Sequence, residues 1–275
     1  RVAFLGRAYA YGATKFEEDE GIKKAIEAYN AKVYEMTSDI AEVYRTTRGW
    51  SLEYFDTIYT KLGARYDHLY FESEVSSRGK ELVKKWVKKG VFKESEGAII
   101  FPGSEHGLHD RVFINSKGYP TYEAKELALA ERHFADYKPA RVVHVVGKEQ
   151  TEYFKVLFRA IETLWPKTKG KEHHLVGGYL QLKGEKKMSS RTGNVITGDA
   201  LIADVETRVV DLMKETKVGD TDGVRRAITV AALKYAMLKT GVSDDTAFDM
   251  EESISTSGDS GPYLLYIVAR IKSIL

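Results

Sequence analysis

Cysteine is absent from the 275 residues, which excludes disulfides, thiolate catalysis and cysteine-ligated zinc within this sequence. The same absence fits a reducing, cytoplasmic setting. No stretch approaches the ~20 consecutive apolar residues that a membrane span requires. Net charge is only +2, so the chain is no uniformly basic nucleic-acid coat, although local basic patches remain free to meet phosphate. Internal repeats and low-complexity tracts are also missing. What is present is ordinary for a globular protein: 43% hydrophobic and 30% charged residues. The length suffices for a real core and roughly two domains. The chain opens at Arg1 on residues that read as the interior of a helix. It closes in an apolar helix, Tyr263 to Leu275, without a cap. The expectation is that both ends lie inside a longer protein.

Three spans follow from the pattern. The first, 1–63, is helical, with Ile22, Ile26, Tyr29, Val33 and Met36 at helical spacing and a separate helix from Leu52 to Leu62. The second, 64–215, alternates strand and helix. Tyr66 to Phe71 reads as a strand. Arg78 to Lys89 reads as a helix with Lys84, Lys85, Lys88 and Lys89 on a solvated face. Ala98 to Phe101 and Val112 to Ile114 are short strands, and Thr121 to His133 is a helix with Thr121 as its N-cap. Val142 to Val146 is a β-branched run expected in a strand buried on both faces; a helix follows with Phe154, Leu157, Phe158, Ile161 and Leu164 on one face, and Leu175 to Leu182 is another strand. The alternation predicts an α/β fold with a parallel sheet. The third span, 216–275, is helical, broken by a loop from Ser253 to Gly261.

Three segments have the residue types for chemistry. Lys187-Met188-Ser189-Ser190-Arg191, followed by Gly193-Asn194-Val195, combines a cation with small hydroxyls between a strand and a helix. Such a loop suits a triphosphate: lysine supplies a point charge, and hydroxyls and amides donate hydrogen bonds as charge moves onto pyrophosphate. A basic surface hairpin has the same composition. In Val145-Val146-Gly147-Lys148-Glu149-Gln150 a strand meets a helix, which is where open α/β sheets bind ligands. Gly147 lets a nucleotide approach the backbone, and Gln150 offers a donor and an acceptor; an ordinary turn also fits. Tyr122 and Glu126, four apart, share a helix face. A carboxylate beside an aromatic ring traps a cationic side chain, although a helix with solvated charges reads the same. Glu105-His106-Gly107-Leu108-His109 is weak as a metal site, and Asp220 and Asp222 complete no calcium loop and read as helix caps.

Taken together, these segments resemble the arginyl-tRNA synthetases of class I over nearly the whole chain. Lys187 to Arg191 looks like the second class I signature. The run Gly258-Asp259-Ser260-Gly261-Pro262-Tyr263-Leu264-Leu265-Tyr266, with Ala269-Arg270, is similar to the family's entry into its anticodon-binding domain. Phe4 to Tyr9, Trp50 to Phe55, Tyr70 to Glu74 and Pro120 to Ala128 also match family text. The other class I signature, His-x-Gly-His, has no counterpart, because Gly107 is misplaced within Glu105 to His109.

The resemblance implies the second half of a Rossmann-like nucleotide fold, with a helical insertion before it and the start of a helical bundle after it. It implies ATP with magnesium as substrate, no tightly bound cofactor, no protein metal site, and arginine and tRNA(Arg) as partners. Tyr122 would pack on the substrate arginine, Glu126 would hold its guanidinium, and Gln150 and Glu72 would contact the same substrate. Gly147 would lie against the adenosine, and Lys187, Met188, Ser189 and Ser190 would close over ATP. Glu126 stands where the family more often has aspartate, which keeps the charge and changes its reach. Ser190 replaces a second signature lysine, a loss common in arginyl enzymes. Family members typically need bound tRNA before they activate arginine. These 275 residues alone are expected not to charge tRNA. The alternatives are another class I synthetase, such as the lysyl enzyme, or a non-catalytic module that binds tRNA or a partner.

Overall fold

The computed structural model describes residues 1–184, 197–215, 219 and 221–275. In chain order the helices are α1 (Val2–Glu18), α2 (Glu20–Glu35), α3 (Ser38–Leu62) and α4 (Glu72–Val87), then α5 (Tyr122–Tyr137), α6 (Thr151–Leu164), α7 (Gly198–Glu215), α8 (Asp222–Leu238), α9 (Met250–Ile254) and α10 (Gly261–Ile274). The strands are β1 (Lys93–Ser95), β2 (Ala98–Phe101), β3 (Arg111–Ile114), β4 (Val142–Gly147), β5 (Glu172–Gly177), β6 (Leu180–Leu182) and β7 (Thr246–Phe248). They form two compact units, one of residues 66–179 with 242–244, the other of residues 1–65, 180–241 and 245–275. The span 64–215 is therefore divided at Leu180. Among the described residues no helix is long and apolar enough to cross a membrane.

In the first unit, β1, β2 and β3 make an antiparallel sheet, with a register shift between Ile99 and Ile100. Phe92, Phe101 and Phe113 are almost fully buried there, with centroids 4.9 Å apart for Phe92 and Phe113. β4 and β5 pair in parallel from Val142↔Glu172 to Gly147↔Gly177. α6 buries Phe154, Leu157, Ile161 and Leu164, the predicted face, while Phe158 is partly buried. α4 and α5 cross closely because Gly79 has no side chain. A Cβ at that position would sit 2.2 Å from the Ala124 carbonyl oxygen, closer than packed atoms come. An ion pair spans the same crossing: Arg78 donates Nε to Glu131 at 2.7 Å and Nη2 at 2.8 Å.

In the second unit, β6 pairs in parallel with β7, and α7, α8 and α9 gather around Val205, Val209, Leu233 and Phe248. Asp19 caps α2 by accepting from the amides of Gly21 and Ile22. Ser260 caps α10, whose Gly261 has its Cα against the α8 backbone; a Cβ there would fall 2.1 Å from the Ala231 carbonyl oxygen.

Several expectations are corrected. Tyr66 to Phe71 is not a strand; it has no pairing partner among the described residues and leads into α4. β4 is not buried on both faces. It pairs only with β5 among the described strands, and Val143 and Val145, on the pleat face away from α6, are 48% and 65% exposed. Leu175 to Leu182 is two strands in different sheets. α3 is one helix of 25 residues, so no break precedes Leu52. The α2 stripe contributes no buried residue. Thr121 is the N-cap residue of α5, as expected, but its side chain makes no capping bond, because its hydroxyl donates to the Val112 and Phe113 carbonyls instead. Thr221 caps α8 and Asp222 sits in its first turn, while Asp220 lies outside the described residues. β7 lies in a stretch read as helical. Lys84, Lys85, Lys88 and Lys89 are exposed, as a solvated face requires.

Candidate active site

The candidate site lies wholly in the unit of residues 66–179 and is built around the first turns of α5 and α6. Tyr122 opens α5 and is half exposed, and Glu126 follows one turn later on the same face, partly buried. The Tyr122 hydroxyl donates to the Glu126 carboxylate. Burial, and then the charge of Glu126, push the Tyr122 hydroxyl up to about 12, so it stays a protonated donor near neutrality. Burial raises Glu126 above the ordinary carboxylate range, and nearby Glu72 and Glu172 add to the rise. His144 and the Tyr122 hydrogen bond oppose it. A poorly solvated carboxylate among other carboxylates gains from a cationic guest more than an exposed one does.

Glu72 heads α4 and belongs to the same charge cluster. Its Oε2 accepts from the Lys125 ammonium at 2.7 Å, so it is already held by a cation of the chain. Behind Tyr122 lies Tyr153 on α6, only 4% exposed, with the two ring centroids 5.4 Å apart. Arg111 of β3 places its guanidinium 5.2 Å from the Tyr153 ring centroid and donates to Glu123 at 3.2 Å. On the strands, His144 Nε2 and Glu172 Oε2 are 2.7 Å apart, and the imidazole packs against Phe154 and Phe158. Three buried atoms in this network have no hydrogen-bond partner: the Tyr153 hydroxyl, Arg111 Nε and Glu172 Oε1.

The structure thus brings Glu72, Tyr122 and Glu126 together. Gly147 and Gln150 occupy the junction of β4 with α6, where Gln150 ends a 3-10 turn directly before Thr151. The space beside Gly147 is taken by the chain itself. A Cβ there would meet Glu149 Oε2 at 2.4 Å, and that carboxylate accepts from the Tyr179 hydroxyl at 2.9 Å. Lys187, Met188, Ser189 and Ser190 lie outside the described residues. The segment Glu105 to His109 is structural: His106 stacks on Phe101 at 5.4 Å, and Glu105 pairs with Lys93. Among the described residues no group of three His, Asp or Glu is placed to hold a metal ion.

Sequence reasoning missed Arg111, Glu123, His144, Tyr153 and Glu172. A histidine within an otherwise β-branched run was an available signal for His144, and Glu123 lies inside a segment already singled out. Arg111, Tyr153 and Glu172 have no local signature, because their roles arise from contacts between distant elements.

A family model described as tRNA synthetases class I (R), catalytic domain, matches residues 2–250. The arginine–tRNA ligase of Treponema denticola is 33% identical over 242 residues, covering 86% of this chain and 41% of that protein. That of Borreliella afzelii is 29% identical over 282 residues, covering 99% and 48%. Among solved structures, Thermus thermophilus arginyl-tRNA synthetase superposes with a TM-score of 0.78 at 24% identity, over 99% of this chain and 51% of that one. The Plasmodium falciparum arginyl-tRNA synthetase does so with a TM-score of 0.76 at 21% identity, over 95% and 47%. The chain therefore spans less than half the length of these curated relatives.

Proposed function

The chain belongs to the class I arginyl-tRNA synthetase family, and we propose that it supplies the arginine pocket and part of the ATP site of an arginine–tRNA ligase working in the cytoplasm. The observation that carries this reading is Glu126, a partly buried carboxylate bonded by Tyr122 and hemmed by Glu72 and Glu172. Its chemistry asks for a cation. A guanidinium presents paired N–H groups to such a carboxylate and a flat face to the Tyr122 ring. Gln150 contacts the same substrate, and Gly147 lies along the adenosine, with Glu149 moving aside as it enters. Lys187, Met188, Ser189 and Ser190 close over the triphosphate, whose magnesium arrives with ATP.

The reaction has two steps. A carboxylate oxygen of arginine attacks the α-phosphorus of ATP, and the bond to the bridging oxygen breaks, releasing pyrophosphate. A terminal ribose hydroxyl of tRNA(Arg) then attacks the acyl carbon and AMP leaves. No protein nucleophile is needed, so positioning and charge stabilisation supply the acceleration. Lys187 acts on charge that develops as pyrophosphate departs. In the complete polypeptide carrying these residues, Lys187→Ala is expected to lower kcat for tRNA charging by roughly 100-fold and to change the arginine KM by less than a few-fold. Steady-state charging kinetics test this, and an unaltered kcat would remove the loop from the chemistry.

A further inference from the structure

The Tyr153 hydroxyl is buried, belongs to a residue 4% exposed, and has no hydrogen-bond partner. Native interiors rarely leave such a group unpaired, because an orphaned hydroxyl keeps the cost of desolvation without the return of a bond. Its surroundings are those of the candidate site: the ring lies 5.4 Å from that of Tyr122, the hydroxyl feels the charges of Glu126 and Glu123, and the Arg111 guanidinium lies over the ring 5.2 Å from its centroid. No helix-packing need explains the oxygen. The neighbouring α6 residues Phe154, Leu157 and Ile161 are purely apolar, and a phenylalanine would fill the same volume.

We propose that Tyr153 is a specificity-determining residue for the guanidinium, its hydroxyl oxygen accepting an N–H that Glu126 does not reach. The inference rests on the arginine-pocket reading above. A guanidinium has five N–H donors in a rigid plane, and one carboxylate satisfies two of them. A second acceptor set back from the first fits that plane. The compact ammonium of lysine, with three donors on one nitrogen, does not bridge the two positions. The hydroxyl proton is then directed to a neighbouring carboxylate.

The test is Tyr153→Phe in the complete polypeptide with tRNA present, reading the KM for arginine, the KM for ATP, charging with lysine, and the thermal midpoint. The expected result is a rise of roughly tenfold in the arginine KM, equivalent to about 1.4 kcal/mol, with the ATP KM within twofold. The preference for arginine over lysine should shrink by a similar factor. The thermal midpoint should hold or rise, since an unpartnered buried hydroxyl has been removed. Function and stability moving in opposite directions is the signature that a packing role does not give. An arginine KM within twofold of the parent overturns the inference, as does a joint rise of both KM values with a lower midpoint. Failure of the unsubstituted protein to use arginine would instead overturn the pocket reading, and this inference with it.

Discussion

Glu126→Ala should raise the KM for arginine by roughly 100- to 1,000-fold in the complete polypeptide, while the KM for ATP stays within a few-fold. The magnitude follows from removing one partner of a desolvated, hydrogen-bonded charge pair, which costs about 3–4 kcal/mol. Tyr122 loses its acceptor at the same time, since its hydroxyl bonds to Glu126. The pH dependence is fixed by the same residue. Burial raises Glu126, so its folded value lies above the ~4.3 of a free glutamate. Guanidinium binding needs the carboxylate, so arginine affinity should fall as pH drops through that raised value, at a higher pH than an ordinary glutamate would give. The stability effect has the opposite sign. A raised carboxylate favours the folded state below its unfolded value, and that advantage is lost as pH rises through the folded value. Glu126→Gln should therefore abolish the acid limb of arginine binding and raise the neutral-pH thermal midpoint of the arginine-free protein. An arginine KM that ignores both substitutions would mean that the guanidinium sits elsewhere.

Gly79→Ala should lower the thermal midpoint of the unit that holds the site, although alanine normally stabilises a helix by up to about 1 kcal/mol relative to glycine. The reversal comes from the crossing of α4 and α5. The added carbon would lie 2.2 Å from the Ala124 carbonyl oxygen and 2.6 Å from its carbon, and a backbone cannot swing aside as a flexible side chain can. The helices must separate, which loosens Val75, Leu82, Val83, Leu127 and Ala128 in the core. Overpacking of this kind costs about 1–3 kcal/mol, and Gly79→Val should cost more. Ala124 stands between Tyr122 and Glu126, so the same displacement moves both ligands of the proposed guanidinium, and the arginine KM should rise with the loss of stability. Thermal unfolding of the two variants decides it. An unchanged or higher midpoint for Gly79→Ala would show that the crossing relaxes freely.

Both predictions start from residues that differ in how visible they were. The adjacency of Tyr122 and Glu126 was legible, because helical spacing places residues four apart on one face, and in the structure the two side chains meet. The α6 stripe was legible for the same reason. β4 was located correctly, yet its burial was misjudged: hydrophobic character marks a strand but not how many layers cover it, and Val145 is 65% exposed. β7 has three residues, too few for a period to register, and exists through pairing with β6, more than sixty positions away. Tyr66 to Phe71 alternates like a strand but lacks a partner among the described residues, and alternation without pairing makes no sheet. Tyr153 was hidden inside a core-forming stripe. Its significance depends on Arg111 from β3 and Tyr122 from α5, which only folding brings to it.

The most direct test of the central claim is ATP-dependent charging of tRNA by the complete polypeptide, offered arginine, lysine and glutamate separately. The account predicts charging with arginine, little with lysine and none with glutamate, whose carboxylate would meet the charge of Glu126. Preferential charging with lysine or glutamate, or charging with none of the three by a folded protein that binds tRNA, would contradict it.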